Sequence, residues 1–201
     1  MLLYFYCVEN KKVSVLLEMA DDNDGYVSVA DATRFGIAQS FISDLVEQGL
    51  FNRVAKGLYI KKGYEVDPYY LLHYTYKKAA FGYETSLFLQ GIEAAKDPIE
   101  IYLPSNYMTS GIENTKCRHL GKKEYETGLI LLVTPKGNLV PGYDLERLFI
   151  DTLRRKNELD KTGLLSRLKE IANKGLYKER LFAYAESFHI KGEVELALKI
   201  L

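Results

Sequence analysis

The side chains able to do covalent chemistry are few and dispersed. His73, His119 and His189 lie far apart, and none has a second ligand at metal spacing. Cys7 and Cys117 have no local partner either, so they read as free thiols of a reducing compartment. The chain contains neither a glycine-rich phosphate loop nor a Gly-x-Ser-x-Gly elbow. A metal-dependent nuclease would need an acid followed by a Glu-x-Lys pair on adjacent strands. Asp97 and Glu100 stand beside an extended run, but Tyr102 occupies the place of that lysine. The acidic segment Ala20–Gly25 lacks the closing glutamate of a calcium loop and reads as a solvated turn. No catalytic set, metal site or cofactor site is expected. What remains is the chemistry of binding. Arg34, Arg53, Lys56, Lys61 and Lys62 can meet phosphates, while Gln39, Ser40 and Ser43 can hydrogen-bond base edges.

Those binding residues all fall between Gly25 and Lys62, and the local pattern says which elements must carry them. Ser28 is placed to cap a short helix that ends at Phe35-Gly36, where glycine admits a left-handed turn. Phe41, Ile42, Leu45 and Val46 form the inner stripe of a second helix closed by Gly49, with Gln39, Ser40, Ser43, Asp44 and Glu47 on its other face. The runs LFNRV and LYIKK flank Ala55-Lys56-Gly57 as a hairpin. Helix, turn, helix and hairpin in this order predict a winged helix-turn-helix, whose second helix enters the major groove. One feature opposes strong binding. The helix from Ile37 to Gln48 has no lysine or arginine and carries Asp44 and Glu47.

The 201 residues suffice for one large domain or two small ones, and the composition is that of an ordinary globular protein. Formal net charge is zero, so nucleic-acid affinity has to come from a local patch. Neither a signal peptide nor a run long enough to span a bilayer is present, which predicts a soluble cytoplasmic protein. We place a winged helix-turn-helix domain at residues 1–64, opened by a helix up to Ala20, and an α+β domain at residues 65–201. Gly63–Pro68 is the linker. The second domain starts with helices around Tyr69–Tyr76, where His73 reads as packing, and around Tyr83–Ile92, with Leu87, Leu89 and Ile92 inward. Strands follow at Pro98–Leu103, Lys116–Leu120 and Leu129–Thr134, and LVPGY is a hairpin partner of the last. Asp144 caps a helix with Leu145, Leu148, Phe149 and Leu153 on one face, and Arg147 and Asp151 stand four apart, either as an exposed pair or as a lock of that helix to the sheet. Glu146 pairs onward to a cation later in the same helix. Amphipathic helices near Leu164–Ala172, Leu181–Phe188 and Val194–Leu201 complete a helical tail.

Four segments in this order resemble the AbiEi antitoxins of the AbiE abortive-infection systems. They are RVAKGLYI at Arg53–Ile60, FGYETSLFLQGI at Phe81–Ile92, IYLPSNYMTS at Ile101–Ser110 and GYDLERLFIDTLRRKNELD at Gly142–Asp160. The resemblance implies a winged domain that binds operator DNA and represses its own operon. It also implies a C-terminal domain that counters a co-encoded nucleotidyltransferase-like toxin in phage defence, without a stable complex being required. Arg53, Lys56 and Tyr59 carry over as wing residues. Glu84 and Thr85, with Glu146, Arg147 and Asp151, carry over as the signature of the antitoxin domain. Together the readings predict a non-enzymatic autorepressor binding double-stranded DNA at inverted repeats, with modest affinity, strong salt dependence and cooperative or dimeric occupancy. Two alternatives stand beside it, a module that contacts the toxin directly without DNA, and an enzyme of nuclease ancestry.

Overall fold

The computed structural model describes the backbone of residues 2–107 and 112–201, and side chains from residue 11 onward within that range. Cys7 and the Met108–Ser110 end of the third resembling segment lie outside those bounds. The chain is α+β and divides into two compact units, residues 1–75 with 136–138, and residues 76–135 with 139–201.

In the first unit, helix α1 (Leu2–Asp22) leads into strand β1 (Tyr26–Ser28), helix α2 (Val29–Arg34) and helix α3 (Gln39–Glu47). Strands β2 (Phe51–Ala55) and β3 (Leu58–Lys61) follow as an antiparallel hairpin, then helix α4 (Pro68–Thr75). Strand β1 was not legible in advance. It adds to β3, giving a sheet of order β1-β3-β2 in which Val27 pairs with Tyr59. Leu16, Ala20, Val27, Ala32, Ile37, Ile42, Leu45 and Phe51 form the core, which is the apolar stripe of α3 closing on α1 and the sheet. The Asp67 carboxylate accepts the N–H groups of Tyr69 and Tyr70 and so starts α4, which packs Tyr70 and Tyr74 against Tyr26, Leu58 and Ile60.

The second unit opens with strand β4 (Ala80–Phe81) and helix α5 (Tyr83–Leu89). Of the expected inner stripe of α5, Leu87 lies in the core and Ile92 packs against it, while Leu89 is only half-buried. Tyr83, Thr85, Ser86 and Leu87 are buried, because Ser86 Oγ donates to Phe81 O and Thr85 Oγ1 accepts from Glu100 N. Strand β5 (Ile99–Pro104) pairs antiparallel with β4 and parallel with β6 (Thr115–Leu120). Helix α6 (Lys122–Glu126) leads to the antiparallel pair β7 (Leu129–Val133) and β8 (Leu139–Tyr143). Helix α7 (Leu145–Arg154) is buried along nearly its whole length, flanked by α8 (Lys161–Asn173), α9 (Lys178–Ser187) and α10 (Lys191–Ile200). Its apolar residues join Tyr83, Tyr102, Tyr143, Leu168 and Leu181 in one core. The described helices include none long and apolar enough to cross a membrane.

Candidate nucleic-acid interface

The segment holding the candidate DNA contacts is braced by local hydrogen bonds. Ser28 Oγ accepts from Asp31 N at 3.0 Å and donates to the Asp31 carboxylate at 2.6 Å, capping α2. Gly36 takes φ +69°, which turns the chain between the helices. Gly57 takes φ +74° at the hairpin tip, and its carbonyl accepts from both Val29 N and the Tyr74 hydroxyl. The tip is therefore tied to the start of α2 and to α4.

Around this frame the candidate residues separate into two groups. Gln39 and Ser40 are exposed at the start of α3, and half-buried Ser43 donates to Gln39 O at 3.1 Å. Arg53, Lys56 and Lys62 are exposed on or beside the hairpin, and no salt bridge to them occurs among the described residues. Arg53 bends back only as far as Ala55 O, at 3.4 Å. Arg34 is 77% exposed but already holds Asp31 at 3.1 Å. Lys61 is engaged too, since Asp21 accepts from both its ammonium and the Tyr64 hydroxyl. The hydrogen bond from Lys61 holds the Asp21 carboxyl below its ordinary value. Tyr59 does not face outward. It is 1% exposed, its ring fills the core, and its hydroxyl accepts from Gln39 Nε2 at 3.4 Å. That position suits a brace under Gln39 and offers no surface to a duplex.

The candidate residues of the second unit sit in a buried ion-pair network. Arg147 is 1% exposed, so its pairing with Asp151 is not on a solvated face. Its Nε donates to Asp151 at 3.1 Å, and its Nη1 donates to the carbonyls of Glu124 and Thr127. The Tyr143 and Phe188 rings cover the guanidinium, each centred 4.8 Å away. Asp144 caps α7 through Arg147 N and also accepts the Tyr184 hydroxyl. Burial pushes the Asp144 carboxyl above its ordinary value. Glu146 does not pair along its own helix. It accepts Tyr177 N at 2.7 Å and faces Arg180, so it fastens α7 to the start of α9.

Glu100, weighed from the sequence only as a nuclease acid, is instead a buried member of this network. It is 1% exposed within β5 and bonds Arg155, whose second partner is the Tyr102 hydroxyl at 2.7 Å. Glu84 N also donates to it, and the Glu84 carboxylate turns outward to Lys96. The only local signal was a glutamate inside an otherwise apolar strand. A cleft of about 140 Å³ opens among Tyr102, Arg118, Glu124, Asp151 and Arg154, and its arginines all have carboxylate partners. Among the described residues no group of His, Cys, Asp and Glu could hold a metal ion.

Comparison with known proteins adds two findings. Residues 14–60 match the family model described as a transcriptional regulator, AbiEi antitoxin. The fold is similar to that in the crystal structure of the RV2827C protein from Mycobacterium tuberculosis, with a TM-score of 0.57 and 16% identity. That likeness covers 86% of this chain and 70% of the other. No curated protein matches the chain.

Proposed function

We propose that this chain is an AbiEi-type antitoxin and transcriptional regulator, a reading that its match over residues 14–60 supports, and that it binds double-stranded operator DNA through α3 and the β2–β3 hairpin. The supporting observation is the frame itself. A capped α2, a glycine turn, α3 and a tied hairpin carry Gln39 and Ser40 exposed at the start of α3 and Arg53, Lys56 and Lys62 exposed on or beside the hairpin, with no salt bridge to these cations among the described residues. In this reading α3 lies in the major groove as the recognition helix of a winged helix-turn-helix. Gln39 contacts adenine, Ser40 and Ser43 contact either base type, and Arg53, Lys56 and Lys62 hold phosphates, joined by Arg34 and Lys61 only where these release their carboxylates. Binding represses the chain's own operon. The second unit counters a co-encoded nucleotidyltransferase-like toxin, and Glu146, Arg147 and Asp151 serve there as its scaffold.

The exposed Asp44 and Glu47 on α3 favour a second reading, in which this face meets a protein instead of DNA. One experiment separates the two. Purified protein is titrated onto DNA from upstream of its own gene, at several salt concentrations, beside an Arg53→Ala/Lys56→Ala variant. Preference for that DNA over random duplex, lost in the variant, supports the operator reader. Equal affinity for both duplexes removes repression and leaves the protein-binding reading.

A further inference from the structure

Strand β7 is aliphatic throughout (Leu-Ile-Leu-Leu-Val) and has a hydrogen-bonded neighbour on one side only, β8. The direction of its backbone groups follows from the register. Leu129 lies opposite Tyr143, Leu131 opposite Pro141, and Val133 opposite Leu139. Tyr143 turns its N–H to Ser86 Oγ and its carbonyl to Gln90 Nε2, away from β7. Opposed residues alternate between bonded and non-bonded pairs along an antiparallel ladder, so all three of these pairs are non-bonded. Pro141, which has no N–H, fits that position. The N–H and C=O groups of Leu129, Leu131 and Val133 therefore point to the other edge of β7, where no described strand meets them. Their side chains are uncovered as well. Leu131 is 63%, Val133 56% and Leu139 55% exposed. Proteins usually blunt such an edge with a charge, a proline or a bulge, and β7 has none of these.

We propose that this edge pairs with β7 of a second copy of the chain, antiparallel about a two-fold axis through Leu131. That register places every edge-facing residue opposite another, Leu131 with Leu131 and Leu129 with Val133, so both unpaired ladders are satisfied together. Aliphatic side chains then meet in cross-strand pairs on the exposed face. The flanks are complementary in charge. Glu126 precedes β7 and Lys136 follows it, equidistant from Leu131, so the acidic end of one copy meets the basic end of the other. Lys136, which also holds the exposed Glu65, is free to swing because that pair is solvated. The occupant is thus a strand identical to β7, in a four-stranded sheet shared by two molecules. The proposal is independent of DNA binding and stands or falls without it.

Sedimentation of the full chain without DNA tests it, over about a hundredfold range of concentration. The wild type should pass from monomer to dimer. Leu131→Lys sets two ammonium groups against each other at the axis and should weaken association at least about tenfold, with a melting temperature equal to the wild type's at concentrations where both are monomeric, because the side chain is exposed. A second measurement uses Leu131→Cys in a Cys7→Ser/Cys117→Ser background. A bonded antiparallel pair holds its Cα atoms about 5.5 Å apart, within disulfide range, so mild oxidation should cross-link this variant to itself. Leu139→Cys, similarly exposed but one strand further from the axis, should not cross-link. A wild type that stays monomeric overturns the proposal. So does a dimer that survives Leu131→Lys, or one in which both cysteine variants cross-link alike.

Discussion

Arg147 satisfies five groups at once: the Asp151 carboxylate, two carbonyls of the α6 segment and the faces of two aromatic rings. Removing it leaves the buried Asp151 carboxylate with Arg154 alone, at 3.3 Å, and breaking a buried pair typically costs about 3–5 kcal/mol. Arg147→Ala should therefore lower the urea midpoint sharply, and Arg147→Lys should recover only part of the loss, since lysine cannot reproduce the fork. Asp144 gives a pH prediction. Burial raises its carboxyl in the folded state, so its contribution is fully present below the ordinary aspartate range and is lost as pH rises through the raised value. Asparagine caps helices as well as aspartate does. Asp144→Asn should thus keep the fold and flatten that decline, visible as a smaller difference in melting temperature between acid and neutral pH. Sequence spacing found the Arg147–Asp151 pair but left open whether it was solvated or locked the helix in place, because periodicity cannot count how many helices will cover a face. The partners of Glu146 and Glu100 were illegible for a related reason. Arg180 and Arg155 become neighbours only through packing of distant segments.

Among elements, the turn before β7 is tightly constrained by its neighbours. Gly128 has φ +80°, and a Cβ there would stand 2.6 Å from Arg147 Cβ and 2.9 Å from Asp144 Oδ1. Gly128→Ala should cost about 1–3 kcal/mol from the left-handed backbone alone, and the clash with the α7 cap adds to it. Chemical denaturation of the variant checks this, and an unchanged midpoint would mean the α7 cap can shift aside. The helix, turn, helix and hairpin of the first unit were readable because each rests on local chemistry: Ser28 as a cap, Gly36 and Gly57 at positive φ, an apolar stripe on α3. Strand β1 was not readable. Three residues between an acidic turn and a cap make no pattern, and its pairing with β3 is a long-range fact. The aliphatic run of β7 announced a strand correctly yet gave no hint that Leu131 and Val133 would be exposed. Apolar composition identifies the strand, but which face becomes covered depends on the elements packed over it.

Across the whole molecule, zero formal net charge means that any attraction to DNA is a short-range affair of a few side chains. Asp21, Asp31, Asp44 and Glu47 lie in the same unit as the wing, and two of them already occupy Lys61 and Arg34. That leaves Arg53, Lys56 and Lys62 as the cations able to displace counterions. At about 0.9 counterion per phosphate neutralised, the logarithmic salt slope should be near −3 for each bound copy, and the Arg53→Ala/Lys56→Ala variant should lose about 2 of it. A slope close to zero would remove phosphate contact from the mechanism. A much steeper slope would mean that Lys61 and Arg34 exchange their carboxylates for phosphates on binding. If two copies associate through β7 before meeting DNA, the slope measured per complex should double while the slope per chain stays fixed. Leu131→Lys should then reduce apparent affinity without changing the slope per chain, which separates loss of the second copy from loss of a phosphate contact.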